Sequence, residues 1–526
     1  MPSATRSRRA DPGLPAGSGT SSANSNVDMG AAYEPPARGG TYQSRGRRHD
    51  RGPMRAATAA PHRRSMMVTR LWRPAAALAV AVLWGVVAAR WTPRGPLTNA
   101  DALWSVGISA AVGLAAGWAS RSRWSMLAAP AAFVAALELT RAGVPGPSVD
   151  APHASPFGIL ALVTGRGVHG VLSVLPLVLG AAYGAGLTRR GQRASRIRRA
   201  ATALVTAALV ALTAAVAIPA RTASTGPGGV ADLAAVHGLR VMIRGQDAAA
   251  PVLLFIPGAP GGSELGAMRR RLAPLEKRFV VATLDRRGGG GSYPALDPTG
   301  AATLDGAVAD TIAVTDYLRD RFGRARIYLL AHSGGSIVGV LAAQRHPDRY
   351  HAYIGTGQAV DLTASDRIFH TDVLAWARAT GRDGLARQLA AQGPPPYDSV
   401  YGYEPLMTYA PEAYGQGTPA FTVDVPEYTL LQKVHTLNAI LDTWSAQYPS
   451  MARVDLRRDV PRLEVPAYFV QGGREMRGLA VPFAQWYERL QAPRKHQEVF
   501  AAAGHRAMFD EPGRFVSFME RLLPPP

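Results

Sequence analysis

The chain has 526 residues, no cysteine and a formal net charge of +21. This length allows two or three domains, and the lack of cysteine excludes disulfides, thiolate nucleophiles and cysteine metal sites. The positive charge first suggests a nucleic-acid partner, but much of it lies in residues 1–67 and in short arginine runs beside apolar stretches. The sequence shows no aromatic-rich basic groove and no zinc-finger or helix-turn-helix spacing, so we expect no nucleic-acid partner.

Residues 1–67 are rich in Arg, Ser, Gly and Pro and poor in apolar side chains. Such a segment cannot bury enough apolar surface to offset the entropy lost on ordering, so it is predicted to be a disordered basic tail. Met66 or Met67 directly precedes the first apolar stretch and offers an alternative start of translation.

A region of apolar stretches follows and predicts transmembrane helices over residues 68–222. Five stretches lie near 74–91, 102–119, 124–140, 168–187 and 200–219. Their dense apolar runs lack the polar face that a soluble helical bundle, the alternative, would need. Small residues, as in Gly107–Gly113, allow neighbouring helices to pack closely. The short apolar run 156–165 is expected to be interfacial.

The arginine content of the loops predicts how these helices are oriented. The tail, the turn with Arg121 and Arg123, and the loop Arg189–Arg199 are strongly positive, whereas the intervening loops carry fewer arginines. Cytoplasmic loops are enriched in Lys and Arg, so five spans leave the N-terminus inside and the C-terminal half outside. A miscount of one span, most easily at 124–140, would reverse this orientation.

From about residue 228 the pattern changes to short apolar runs that alternate with helical segments. The runs are Val241–Arg244, Val252–Ile256, Val280–Leu284, Ile327–Ala331, Ala467–Val470 and Glu498–Phe500. Buried strands separated by helices predict an α/β domain over 228–526, with a mostly parallel sheet covered on both faces. The stretch 360–460 breaks the alternation with helical segments and Pro and Tyr clusters, as expected of an inserted helical cap.

One predicted strand leads directly into a serine. Ser333 is flanked by small residues, Ala331 two positions before it and Gly335 two positions after it, and an Ala- and Val-rich helix follows. A tight strand-to-helix turn needs small residues at these positions and lifts the serine hydroxyl clear of the backbone. Ser333 is therefore the candidate nucleophile, with an ordinary turn as the alternative, and Ser336 is expected inside the helix.

The loop Phe255–Ser263 follows another predicted strand and is too rich in Gly and Pro for a helix or a sheet. Such a loop can present a backbone N–H group to a developing oxyanion, and the second donor is the N–H of the residue after the nucleophile. We assign these two donors to Ala259 and Gly334.

The general base and the acid are expected in two loops near the C-terminus. His505 follows the last predicted strand, in the chain order Ser, acid, His, and can take the proton of Ser333. The acid should follow the strand Ala467–Val470. No Asp lies there, so Glu475 is the candidate, with a surface Glu paired to a nearby arginine as the alternative. His332 is expected to point away from the nucleophile and to serve packing.

Together these motifs resemble the proline iminopeptidase-like branch of the α/β-hydrolase serine peptidases, over residues 235–522. The family's His-Gly-Gly-Pro-Gly-Gly loop stands here as Pro257–Gly262, and its Asp-Gln-Arg-Gly-x-Gly-x-Ser motif as Asp285–Ser292. Pro257 replaces the loop His, Glu475 stands where the family usually has Asp, and the cap lacks the family's Trp-rich stretch. The resemblance implies an α/β-hydrolase fold and a serine hydrolase of the exopeptidase kind.

An aminopeptidase needs a carboxylate that pairs with the substrate's ammonium group. Glu404, Glu412 and Glu427 of the cap are candidates that the sequence does not rank. The sequence thus predicts a membrane-anchored serine hydrolase of the aminopeptidase type. It is expected to act through an acyl-enzyme and to need no metal and no organic cofactor.

Three alternatives remain open. An esterase or lipase would use the same triad, and a catalytically degenerate domain would serve sensing or binding. A transport or lipid-binding role of the helices is disfavoured, because Glu138 is the one acidic residue within the predicted spans. The predicted partners are a small peptide or ester substrate and membrane lipid. The predicted location is the cell membrane, with a multi-pass anchor and an extracytoplasmic hydrolase domain.

Overall fold

The computed structural model describes residues 62–142, 152–189, 195–297, 299–416 and 422–523, and for 62–72 and 74 the backbone alone. The predicted basic tail lies outside the described residues as far as residue 61, and residues 62–67 belong to the first helix. Within these described ranges, the α-helices of the N-terminal region are α1 (His62–Trp91), α2 (Asn99–Ser120), α3 (Ser125–Arg141), α4 (Pro156–Leu162), α5 (Leu175–Leu187) and α6 (Arg196–Ala217).

Each of the five predicted apolar stretches coincides with a helix of this region. α4 and α5 are parts of one helical stretch, Pro156–Leu187, joined through two π-helical segments, Val163–Gly167 and Gly170–Val174. The run 156–165, which was expected to be interfacial, continues without a break into the helix that follows it. By length and hydropathy, α2, the α4–α5 stretch and α6 could cross a membrane, whereas the apolar part of α1, Ala75–Trp91, is shorter.

Close contacts between backbones hold α2 against α5. A Cβ atom on Gly113 would lie 2.1 Å from the carbonyl oxygen of Leu177, and one on Gly184 would lie 2.1 Å from that of Leu114. Only glycine permits this approach, as in other helix pairs with small residues at their interface. Gly107 faces open space, so this end of the predicted small-residue segment takes no part in the contact.

The C-terminal region is built on an eight-stranded sheet with the order β1-β2-β4-β3-β5-β6-β7-β8. The strands are β1 (Val230–Val236), β2 (Leu239–Gly245), β3 (Val252–Ile256), β4 (Val280–Leu284), β5 (Ile327–His332), β6 (Tyr350–Thr356), β7 (Ala467–Gly472) and β8 (Lys495–Phe500). β2 pairs antiparallel with β1 and β4, and the other pairs are parallel. The predicted mostly parallel sheet is confirmed, although β1 and β6 were missed.

The α-helices of this region either pack on the two faces of the sheet or form an insertion between two of its strands. They are α7 (Leu265–Arg271), α8 (Leu304–Phe322), α9 (Gly335–Arg345), α10 (Leu362–Ala379), α11 (Asp383–Gln392), α12 (Glu404–Ala413), α13 (Leu430–Val434), α14 (Thr436–Met451), α15 (Leu456–Asp459), α16 (Arg477–Arg489), α17 (Ala507–Asp510) and α18 (Pro512–Glu520). One apolar core lies under α8, α9 and α16, and a second lies under α7, α17 and α18.

The helices α10 to α15 form an insertion between β6 and β7, close to the predicted cap at 360–460. The strands β3, β5, β6 and β7 run parallel to one another. The carboxyl ends of parallel strands lie at the same edge of a sheet, where ligands bind in open α/β folds. The cap and the loops that follow these strands therefore meet at one edge.

Candidate active site

Ser333 stands on a strained bend between β5 and α9. Its φ of 52° lies in the left-handed region, which is uncommon for residues other than glycine. Small neighbours make the bend possible, since a Cβ atom on Gly335 would lie 2.1 Å from the carbonyl oxygen of Pro257. Ser336 lies within α9, as expected, and its hydroxyl accepts a hydrogen bond from the N–H of Ala359 (2.9 Å).

The structure brings Ser333, His505 and Glu475 into one hydrogen-bonded line. Nε2 of His505 lies 2.8 Å from Oγ of Ser333. Nδ1 of the same ring lies 3.0 Å from Oε1 and 3.2 Å from Oε2 of Glu475. Three loops that are far apart in sequence thus converge in the arrangement of a nucleophile, a base and an acid.

The electrostatic environment of His505 favours its protonated form. Burial lowers the pKa of His505, but the carboxylates of Glu475 and Glu264 together outweigh burial and raise it. The Glu475 side chain is only 4% exposed and that of His505 is 14% exposed. An imidazolium that forms while His505 holds a proton is therefore stabilised where water has little access.

The loop Phe255–Ser263, called the oxyanion loop below, lies directly against Ser333. A Cβ atom on Gly258 would come within 2.9 Å of Cβ of Ser333, and the guanidinium of Arg286 donates a hydrogen bond of 2.9 Å to the carbonyl oxygen of Gly258. The C=O and N–H of a planar trans peptide point in opposite directions, so this bond turns the N–H of Ala259 away from Arg286. Ala259 and Gly334, the two predicted donors, are both partly exposed.

The Asp285–Ser292 segment is hydrogen-bonded to the oxyanion loop. The carboxylate of buried Asp285 accepts hydrogen bonds from Tyr428 (2.7 Å) and from the N–H of Gly291 (2.8 Å), and Ser263 of the oxyanion loop also donates to it. Burial raises the pKa of Asp285 against these hydrogen bonds. The segment thus ties the oxyanion loop to the cap.

A second carboxylate, Glu264, joins the loops of the site and was not predicted from the sequence. It accepts a hydrogen bond from the N–H of Gly258 (3.1 Å), contacts Nδ1 of His332 (2.9 Å) and lies 3.5 Å from the guanidinium of Arg506. Burial raises its pKa, but His332, Arg506 and the Gly258 N–H together lower it to about 2. His332 therefore serves this network as well as packing, and Nε2 of its ring approaches the carbonyl oxygen of His505 (3.4 Å).

Gln416 connects the cap to both loops that carry the base and the acid. Its side chain accepts a hydrogen bond from the N–H of His505 (3.0 Å) and donates one to the carbonyl oxygen of Arg474 (2.8 Å). A cavity of about 410 Å³ opens here and is lined by Gln416, His505 and Met476 among others. Gln416 belongs to no recognisable sequence motif, so its role could not be predicted from the sequence.

The three cap carboxylates that the sequence offered for an ammonium group have other partners. Glu404 is buried and accepts a hydrogen bond from the N–H of Phe157 (3.0 Å). Glu427 is buried beside Arg269, at 3.2 Å, and Glu412 pairs with Arg382 on the surface. Among the described residues, no group of three or more His, Asp or Glu side chains has the geometry of a metal site.

Comparison with known proteins agrees with this architecture. Residues 251–512 match the family model described as alpha/beta hydrolase fold. The chain is 26% identical over 290 residues to Probable aminopeptidase YbaC of Bacillus subtilis. The aligned residues cover 53% of this chain and 91% of the relative.

Solved structures are similar to the same part of the chain. The proline iminopeptidase of Mycobacterium smegmatis is 17% identical, with a TM-score of 0.40, and covers 56% of this chain and 97% of its own. The proline iminopeptidase-related protein from Thermus thermophilus is 23% identical, with a TM-score of 0.38 and coverage of 56% and 97%.

The C-terminal half of this protein thus has the alpha/beta hydrolase fold, with a helical cap inserted between β6 and β7. The predicted fold class is confirmed. The N-terminal helical region lies outside the part of the chain that the family model matches.

Proposed function

We propose that this protein is a membrane-anchored serine hydrolase that acts as an aminopeptidase on short peptides. One observation carries the proposal, namely the hydrogen-bonded line from Oγ of Ser333 through the ring of His505 to Glu475. A hydroxyl on a strained bend, a base within 2.8 Å and an acid that orients the base are what nucleophilic acyl transfer requires.

In the proposed reaction Oγ of Ser333 attacks the substrate carbonyl carbon while Nε2 of His505 takes the hydroxyl proton. Glu475 holds the ring by its Nδ1–H and stabilises the imidazolium. The N–H groups of Ala259 and Gly334 stabilise the oxyanion of the tetrahedral intermediate. His505 then gives its proton to the leaving amine, and an acyl-enzyme remains. Water, activated by the same His505, hydrolyses the ester bond to Ser333 and regenerates the free hydroxyl.

The aminopeptidase part of the proposal is supported by the relative named Probable aminopeptidase YbaC and by the Asp285–Ser292 motif. An esterase would use the same triad, so substrates must separate the two activities. We expect aminoacyl amides with a free amino group to be hydrolysed faster than their N-acetylated forms and faster than acyl esters of equal size. Faster turnover of the acyl esters would favour the esterase.

The membrane anchor is supported by the composition of the helices and by the distribution of arginine. α2, the α4–α5 stretch and α6 are long and apolar enough to span a bilayer, and α6 buries only Leu209 and Val216. The Nε of Arg189 donates a hydrogen bond to the carbonyl oxygen of Arg121, so these two arginines, each at the border of a predicted cytoplasmic loop, lie at one end of the bundle. Since arginine-rich loops favour the cytoplasm, the hydrolase domain at the other end would be extracytoplasmic.

Labelling with a fluorophosphonate tests the chemistry and the location together. A membrane-impermeant probe should label the full-length protein on intact cells, and Ser333→Ala should abolish both labelling and turnover. Ser336→Ala, which removes the hydroxyl next in the chain, should retain labelling. Labelling of Ser333→Ala would refute the nucleophile, and labelling that needs lysed cells would refute the extracytoplasmic location.

A further inference from the structure

The N-terminal helices contact the hydrolase domain through connections at one end of the bundle. The α1–α2 connection reaches the hydrolase domain with Arg94, and the start of α4 reaches the cap with Phe157. Near the end of α6, Val216 packs with Leu431 of α13. The helical region therefore contacts both the cap and the segment that precedes α8.

Arg94 makes buried, charged contacts with the hydrolase domain. Its side chain is 6% exposed and donates a hydrogen bond to Asp297, which follows the Asp285–Ser292 segment. Its Nε lies 3.2 Å from Oδ2 of Asp442 in α14, a side chain that is 2% exposed. Asp442 also accepts a hydrogen bond of 2.6 Å from Tyr293. A buried carboxylate of this kind depends on its cation.

The helix that Arg94 contacts also contacts the catalytic loops. One turn after Asp442, Gln447 of α14 accepts a hydrogen bond from the guanidinium of Arg286, which holds the carbonyl oxygen of Gly258. At the end of α14, the terminal methyl of Met451 would lie 3.7 Å from a Cβ atom on Gly334. α14 thus contacts the helical region through Asp442. Through Gln447 and Met451, nearer its C-terminal end, it contacts the surroundings of the two predicted oxyanion donors.

We propose that Arg94 is a positioning residue for the active site, which acts through α14 and Arg286 on the oxyanion loop. This inference rests on the proposed function, because it assumes that the N–H of Ala259 stabilises an oxyanion. Removal of Arg94 takes away the guanidinium that lies 3.2 Å from buried Asp442 and so weakens the attachment of α14. The expected defect lies in transition-state stabilisation, so it lowers kcat more than it raises KM.

The test uses the full-length protein in lipid nanodiscs with a small acyl ester as substrate. We expect Arg94→Met to lower kcat about tenfold with KM within about twofold of wild type, and Arg94→Lys to recover part of kcat because a cation remains. Asp442→Asn, which keeps the side-chain volume, provides the same test if Arg94→Met does not fold. Arg244→Met is the matched control, since it breaks a buried pair with Glu276 (2.9 Å) and should lower Tm without changing kcat.

A double-mutant cycle separates positioning from loss of stability. If Arg94 acts through α14, Arg94→Met combined with Gln447→Ala should be no slower than the slower single variant, because both interrupt one path. Multiplied effects, or a kcat for Arg94→Met equal to wild type, would overturn the inference. Failure of the proposed function looks different, because the wild-type protein itself would then hydrolyse neither esters nor amides.

Discussion

Replacement of Glu475 by Gln tests the assignment of Glu475 as the acid that orients His505. The carboxylate holds Nδ1 of His505 at 3.0 Å and 3.2 Å, and it is the main reason why the pKa of His505 is raised despite burial. Gln keeps the length and an acceptor oxygen but removes the charge. The ring then remains buried, so its pKa falls.

The size of the effect follows from the kind of bond that is lost. A hydrogen bond to a charged group contributes about 1.5–3 kcal/mol, and one pH unit corresponds to about 1.4 kcal/mol. The acid limb of kcat/KM, which reports deprotonation of the base in the free enzyme, should therefore move to lower pH by about one to two units. On the plateau, the loss of about 1.5–3 kcal/mol corresponds to a fall in kcat of about 10- to 150-fold, because the imidazolium formed during attack loses its counter-charge.

The measurement is a pH–rate profile of wild type and Glu475→Gln with a chromogenic ester. Glu464→Gln is the matched control, since Glu464 is an exposed residue paired with Arg462 and its loss should change neither limb. An unchanged acid limb together with a kcat within about twofold of wild type would show that another group orients His505.

Two further predictions concern buried carboxyl groups. Glu264→Gln should move the acid limb of kcat/KM to lower pH, because Glu264 also raises the pKa of His505. The movement should be smaller than for Glu475→Gln, because His332 lies between Glu264 and His505. An unmoved limb would contradict this. Burial raises the pKa of Asp366 well above its ordinary value, and Asp361 adds to this. The stability from this group is present at low pH and is lost as pH rises through the raised pKa. Asp366→Asn should therefore raise Tm at pH 8 and leave it unchanged at pH 4; equal shifts at both pH values would contradict this.

The central strands were predictable because each is an uninterrupted apolar run that is buried along its whole length, as in β3 and β5. β1 was missed because its alanine-rich sequence pairs at an edge and is mostly half-buried. β6 was missed because His351 interrupts its apolar pattern at an exposed position. The sequence pattern thus fails where a strand is mostly half-buried, as in β1, or where a polar residue interrupts the apolar run, as in β6.

Within the candidate site, Ser333 and His505 were predictable because the backbone requires particular neighbours around them. Glu475 was predictable from its position in the loop after β7, because that loop contains no Asp. Glu264 and Gln416 could not be predicted, because their roles depend on contacts between loops that are distant in the chain. Such contacts leave no local pattern, and only the folded arrangement reveals them.

The left-handed backbone at Ser333 has a consequence for how this fold could change over time. A residue with a side chain costs about 1–3 kcal/mol in this conformation, whereas glycine adopts it freely. Ser333→Gly should therefore give a protein that melts at a higher temperature and catalyses nothing. Selection for thermal stability alone would therefore favour glycine at position 333. The serine hydroxyl would be retained only while the proposed chemistry is useful to the organism.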